Sequence, residues 1–242
     1  MPVAFDIMML AIGSSRGIQH NDRRNEIVLG GALLMDLVVA ERCEVEERRR
    51  DARIRLVGNR PLGSPAHDLA MARMKLGKTV RGSVLLRQLG QGMPGMLVNQ
   101  LAAHGSVAVH TRRSLRVFTT QHVEVVDTAR RDWLAGAVRQ VLLGLAPPDD
   151  VTGPLIGLLA ASGRVADLVD DVDLPAARDR AKAIANGDWA ASATRREVIR
   201  ATRTCSELVV DYGSGGDWGD GGDGGGDGGG DGGGGDGGGG GD

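Results

Sequence analysis

Residues 28–41 read VLGGALLMDLVVAE and carry apolar side chains on nearly every face of a helix. A surface helix keeps one polar face, whereas a helix without one must be surrounded by other elements. The segment therefore predicts a central helix with the rest of the chain wrapped around it. Gly30 and Gly31 weaken that helix locally and predict close approach of its neighbours. The longest apolar run, residues 27–40, contains Asp36 and is too short to span a bilayer.

The remaining sequence supplies the wrapping. CEVE (43–46) and RIRLV (53–57) alternate in polarity and predict a β-hairpin around a charged turn at 47–51. GNRPLG breaks the chain, and Ser64-Pro65 opens a helix to about Leu76, with Ser as its cap and Pro at the first helical position. Further helices are predicted over 84–89 and 96–104, the second stopped by Gly105. SVAVHTRRSLRVFTT (106–120) predicts a second hairpin turning at Thr111–Ser114, followed by an extended stretch over 121–126. The clearest amphipathic helix spans 127–145, with Leu134, Ala137, Val138, Val141, Leu142 and Leu145 on one face. Helices over 154–161 and 175–186 follow. Asn186-Gly187 ends the latter, Asp188 caps a final helix over 189–210, and Trp189 anchors the corner between the two.

From Gly213 onward, 28 of the last 30 residues are Gly or Asp. Such a segment has too little apolar surface to offset its ordering entropy and is expected to be disordered. The domain organisation is thus a folded body over 1–212 and a tail over 213–242. The tail also lacks the apolar residue that each unit of a calcium-binding β-roll requires. It holds seven Asp and no Lys or Arg, which leaves the body 29 basic residues against 24 acidic ones, a net of about +5. Arg outnumbers Lys 26 to 3, a bias that a GC-rich genome imposes without functional cause, the alternative being a preference for forked guanidinium groups at phosphates.

Catalytic and metal patterns are absent from the sequence. GSSRG (13–17) lacks phosphate-loop spacing, and no GxSxG occurs. The carboxylates Asp167, Asp170, Asp171 and Asp173 sit in GRVADLVDDVD, which reads as a solvated loop. Cys43 and Cys205 lie far apart in apolar patterns and predict buried free thiols. The five histidines form no ligand pair, and no cofactor is implied. The start, MPVAFDIMMLAIGSSRG, lacks a basic leader, so the expectation is a cytoplasmic chain with only peripheral membrane contact.

Arginines cluster on the predicted turns. Arg48, Arg49 and Arg50 occupy the first, with Arg53 and Arg55 behind; Arg112 and Arg113 occupy the second, with Arg116 behind; Arg23 and Arg24 precede the core helix. Basic turns of this kind can rest on the phosphates of lipid headgroups or of nucleic acid. No aromatic residues interleave with them, so a platform for single-stranded nucleic acid is disfavoured.

In order, GGALLMDLVVAERCEVE, RLVGNRPLGSPAHDLAMARM, LAAHGSV, the hairpin ending in Phe118, and GDWAA resemble the Golgi phosphoprotein 3-like family over residues 5–205, as a bacterial-type member. The resemblance implies a mainly α fold, a central helical bundle wrapped by amphipathic helices with surface β-hairpins. It implies a non-enzymatic peripheral membrane adaptor that binds phosphatidylinositol 4-phosphate, carries protein cargo and uses a hairpin for membrane insertion and self-association.

The family's headgroup pocket uses a tryptophan ahead of the core helix and arginines in that helix and a later one. Those positions fall here at Asn21, Gly30, Gln91 and Pro94, none of which matches. The nearby Arg23, Arg24 and Arg87 are the candidate substitutes, with Arg112, Arg113 and Arg116 at a basic hairpin that favours electrostatic docking over insertion. The expected partner is an anionic phospholipid surface, alongside a cargo protein and a second copy of the chain. The alternative is a nucleic-acid-binding regulator whose helix and hairpin imitate a winged helix; a scaffold with no anionic ligand is a third reading.

Overall fold

Helix α2, Arg23–Val39, runs through the middle of the molecule, as its pattern requires. Its residues Ile27, Ala32, Leu33, Leu34, Met35 and Leu37 are at most 1% exposed. The structure is a computed structural model that describes residues 1–12, 23–46, 52–114, 118–187, 200–201 and 203–205, with backbone alone at 23–24, 111–114 and 118–121.

Around α2 pack α1 (Val3–Ile12), α3 (Pro65–Ala72), α4 (Gly82–Gly90), α5 (Met93–Ala103) and α7 (Thr152–Ser162). Helices α6 (Thr128–Leu142) and α8 (Leu174–Asn186) form an outer layer against α7. Strands β1 (Cys43–Glu46), β2 (Arg53–Leu56) and β3 (Thr79–Arg81) make an antiparallel sheet in the order β1-β2-β3. Strands β4 (Val107–Ser114) and β5 (Phe118–Val125) make a separate two-stranded ribbon. The architecture is the expected one, mainly α with small surface sheets.

Gly30 and Gly31 show why the centre of α2 tolerates glycine. A Cβ on Gly30 would overlap the backbone carbonyl of Leu86 in α4, and one on Gly90 would overlap the carbonyl of Glu26. The two helices run antiparallel and touch backbone to backbone. On the other flank Gly31 makes room for the Sγ of Cys205 in the C-terminal helical segment.

Several boundaries differ from the sequence-based expectation. Residues 3–12, to which no element was assigned, form the buried helix α1. Asp6 interrupts its apolar run, yet Asp6 is 3% exposed because Arg130 of α6 donates to both of its carboxylate oxygens, at 2.9 and 3.0 Å. The third strand, β3, was also unassigned. Helix α3 ends at Ala72 rather than Leu76, and α5 begins at Met93, since Pro94 is tolerated in a first turn. Leu145, expected in the core face of α6, lies beyond that helix and is 75% exposed.

The second hairpin turns later than expected. Thr111–Ser114 are not its turn; they belong to β4 and pair with residues 118–121. Arg112 and Arg113 are therefore strand positions, opposite Thr120 and Thr119, and not the tip. A polar run in one strand continues to pair when its partner strand continues to offer backbone groups.

Helix ends follow the expected chemistry. Asp127 caps α6 by accepting from the backbone N–H of Arg130 at 3.0 Å. Gly187 ends α8 at φ 105, a left-handed conformation that suits glycine. The expected cap and corner at Asp188 and Trp189, the turn at 47–51, Arg116 and the tail lie outside the described residues.

Candidate functional site

The antiparallel contact of α2 and α4 places the start of one helix beside the end of the other. Glu26, in the first turn of α2, accepts from the N–H of Gly92 just past α4 at 3.4 Å. Arg23 and Arg24, the first residues of α2, thus share one end of the bundle with Arg87, in the last turn of α4. The Arg87 side chain is exposed, and its Nε donates back to the Ser83 carbonyl at 3.3 Å. Arg73, which sequence reading did not single out, reaches the same end. Its guanidinium donates to the carbonyls of Gln88, Leu89 and Gln91, at 2.5, 3.2 and 2.8 Å, and so caps α4. The backbone positions of Arg23 and Arg24 thus fall at the same end as the side chains of Arg73 and Arg87, and only the folded packing reveals it.

A second charged surface lies on the three-stranded sheet. Strands β1 and β2 alternate buried and exposed residues, which turns Glu44, Glu46, Arg53 and Arg55 outward. The register sets Arg53 opposite Arg81, and Arg55 between Glu44 and Thr79. Arg55 pairs with Glu44 at 2.7 Å, half-exposed on both sides. Arg200 leans over the sheet edge and donates to the Val45 carbonyl at 3.5 Å. Glu44, Glu46, Arg53, Arg55, Thr79 and Arg200 line a groove of about 680 Å³.

Inside the molecule a hydrogen-bonded chain joins four helices. Asp36 Oδ2 accepts from His67 Nε2 at 2.9 Å, and His67 Nδ1 meets Ser64 Oγ at 2.6 Å. A carboxylate only accepts, so the ring donates from Nε2 and, when neutral, accepts the Ser64 hydroxyl at Nδ1. The order resembles a Ser-His-Asp triad with the ring nitrogens exchanged. Its surroundings commit it to packing instead. Asp36 also accepts the N–H groups of Val3 and Ala4, at 2.6 and 3.0 Å, which caps α1. Ser64 Oγ accepts from Gln100 Nε2 at 3.1 Å, and Gln100 Oε1 accepts from Ala66 N. His67 is 2% exposed. Ser64 holds the cap position of α3, as expected, but its hydroxyl serves this network rather than the helix end.

The carboxylates near Asp170 are also engaged. Asp167 is held by Arg164 at 3.0 Å in a nearly buried pair, and Asp170 by Arg139 at 2.6 Å. Both cysteines are free and buried, and burial pushes each thiol up to about 12. Among the described residues no group of three His, Cys, Asp or Glu is placed to hold a metal ion. No described helix is long and apolar enough to cross a membrane.

The structure is thus a helical bundle with arginines at one end, a charged surface sheet and an internal polar network that ties four helices together. The chain belongs to the Golgi phosphoprotein 3 (GPP34) family, whose model matches residues 3–201. That family is one of Golgi-associated adaptors rather than catalysts. Comparison with curated proteins finds no match.

The structure explains one departure from the family's headgroup pattern. Position 30 faces the α4 backbone so closely that not even a Cβ fits, so the arginine expected there has no room. Gln91 is exposed at the end of α4, Pro94 is buried in the first turn of α5, and Asn21 lies outside the described residues. Gln91 and Pro94 nevertheless fall at the end of the bundle that holds the first turn of α2 and the last turn of α4.

Proposed function

We propose that this chain is a non-catalytic peripheral adaptor that docks on anionic phospholipid, with the end of the bundle formed by the first turn of α2 and the last turn of α4 facing the headgroups. The supporting observation is the antiparallel contact that gathers Arg23, Arg24 and Arg87 at that end. The N-terminal end of α2 adds the positive pole of a long helix. Arg112 and Arg113, at backbone positions of β4, carry further positive charge, and Arg116 follows them in the sequence. Phosphatidylinositol 4-phosphate, the ligand implied by kinship, carries the headgroup charge such an end attracts. The nucleic-acid reading draws less support, because α5, the helix before the ribbon, packs inside the bundle with Leu97, Val98 and Leu101 buried.

Co-sedimentation with vesicles tests the proposal. Each basic residue near an anionic surface contributes about 1 kcal/mol. Reversing Arg23, Arg24 and Arg87 to Glu is expected to weaken binding to vesicles of acidic lipid by on the order of a hundredfold. Equal recovery of the unaltered chain on neutral and acidic vesicles would overturn it.

A further inference from the structure

The sheet face holds an unbalanced charge. Arg53 and Arg81 stand directly opposite each other on β2 and β3, both exposed. Like charges in directly opposed strand positions repel. Neither has an ion-pair partner among the described residues, whereas their neighbour Arg55 is matched by Glu44 at 2.7 Å. Arg200 borders the same groove from the C-terminal helical segment. With Glu46, opposite Arg53 on β1, as the second acidic group, the face carries four arginines against two glutamates among the described residues.

The chain itself contains the complement. The tail after Tyr212 holds seven Asp, no Lys or Arg, and little besides glycine. The chain ahead of it passes the groove: Arg200 touches Val45 of the sheet, and the last described residue, Cys205, lies against Ile27 of α2. The first tail carboxylate, Asp217, is twelve residues past Cys205, a span of up to roughly 40 Å when extended. A glycine chain can lie flat along a strand face, since it brings no side chains between its carboxylates. Tethering also gives the tail a high effective concentration at any site it can span.

We propose that the Gly/Asp tail, residues 213–242, folds back onto the arginine face of the β1-β2-β3 sheet and occupies the groove lined by Arg53, Arg55 and Arg200, beside Arg81. The tail is then an internal competitor that any anionic partner of this face must displace. The contact is electrostatic, made at exposed side chains, and is weakened by salt.

The test uses the full chain. Gly228→Cys gives a tail thiol that takes a nitroxide label selectively, because Cys43 and Cys205 are buried with thiols held at about 12. Paramagnetic broadening of backbone amide signals then maps where the tail rests. At about 20 mM salt, signals of β2 and β3 are expected to lose at least roughly half their intensity, with recovery at about 0.5 M. The same recovery is expected when the seven tail Asp are changed to Asn, or when Arg53, Arg81 and Arg200 are changed to Gln. Broadening spread evenly over the surface, centred on another face, or indifferent to these substitutions overturns the proposal. No lipid enters the experiment, so its outcome is independent of the membrane reading.

Discussion

Three glycines in helices separate the uses of that residue. Gly30 and Gly90 lie where α2 and α4 touch, and a methyl group at either meets a backbone carbonyl that has nowhere to move. Gly30→Ala and Gly90→Ala are each expected to destabilise the protein by about 1–3 kcal/mol or more. Gly136, inside α6, has open space where its Cβ would be. Gly136→Ala is expected to stabilise by about 0.5–1 kcal/mol through helix propensity. Urea denaturation of the three variants checks both signs. The two thiols give a pH signature. Because burial holds them at about 12 against a usual 9.0, the folded state keeps their protons after the unfolded state has lost them. Their contribution is complete below pH 9 and is lost as pH rises toward 12. The denaturation midpoint should fall over that range, less steeply in the Cys43→Ala, Cys205→Ala double variant. Asp6 is an acid shifted the same way, raised above 3.8 by burial and only partly drawn back by Arg130; its protonation favours the folded state as pH falls through that raised value.

Elements with strong local patterns were legible. The all-round apolar run announced α2, and the stop at Asn186-Gly187 fixed a real helix end. Helix α1 was not legible, because Asp6 reads as an interruption until Arg130, 124 residues away, is known to neutralise it. The turn of the second hairpin was misplaced because TRRS has turn-like polarity, and only the partner strand reveals that pairing continues. The basic end was hidden for the same reason: nothing local links Arg73 or Arg87 to Arg23. The Asp36 network is a further case, signalled in the sequence only by a histidine three residues after Ser64. Asp36→Ala strands the N–H groups of Val3 and Ala4 and the ring of His67. It should cost about 3 kcal/mol or more and raise amide hydrogen exchange in α1 before α6 responds.

The whole chain carries a formal charge of −2, but that figure conceals a basic body and an acidic tail. Changing the seven tail Asp to Asn moves the net to about +5. Vesicle association of that variant should exceed that of the unaltered chain at low salt, and the two should converge near about 0.5 M, where the Debye length is only a few ångströms. Co-sedimentation across a salt series reads both.

The seam between α2 and α4 has a mechanical corollary. Helices separated by long side chains can slide a little on that cushion, but two backbones in direct touch have none. Strand β3 ends at Arg81 and α4 starts at Gly82, so the sheet is bolted to the same beam. A pull delivered at the arginine end is therefore expected to reach the sheet with little slack, as through a lever rather than a hinge.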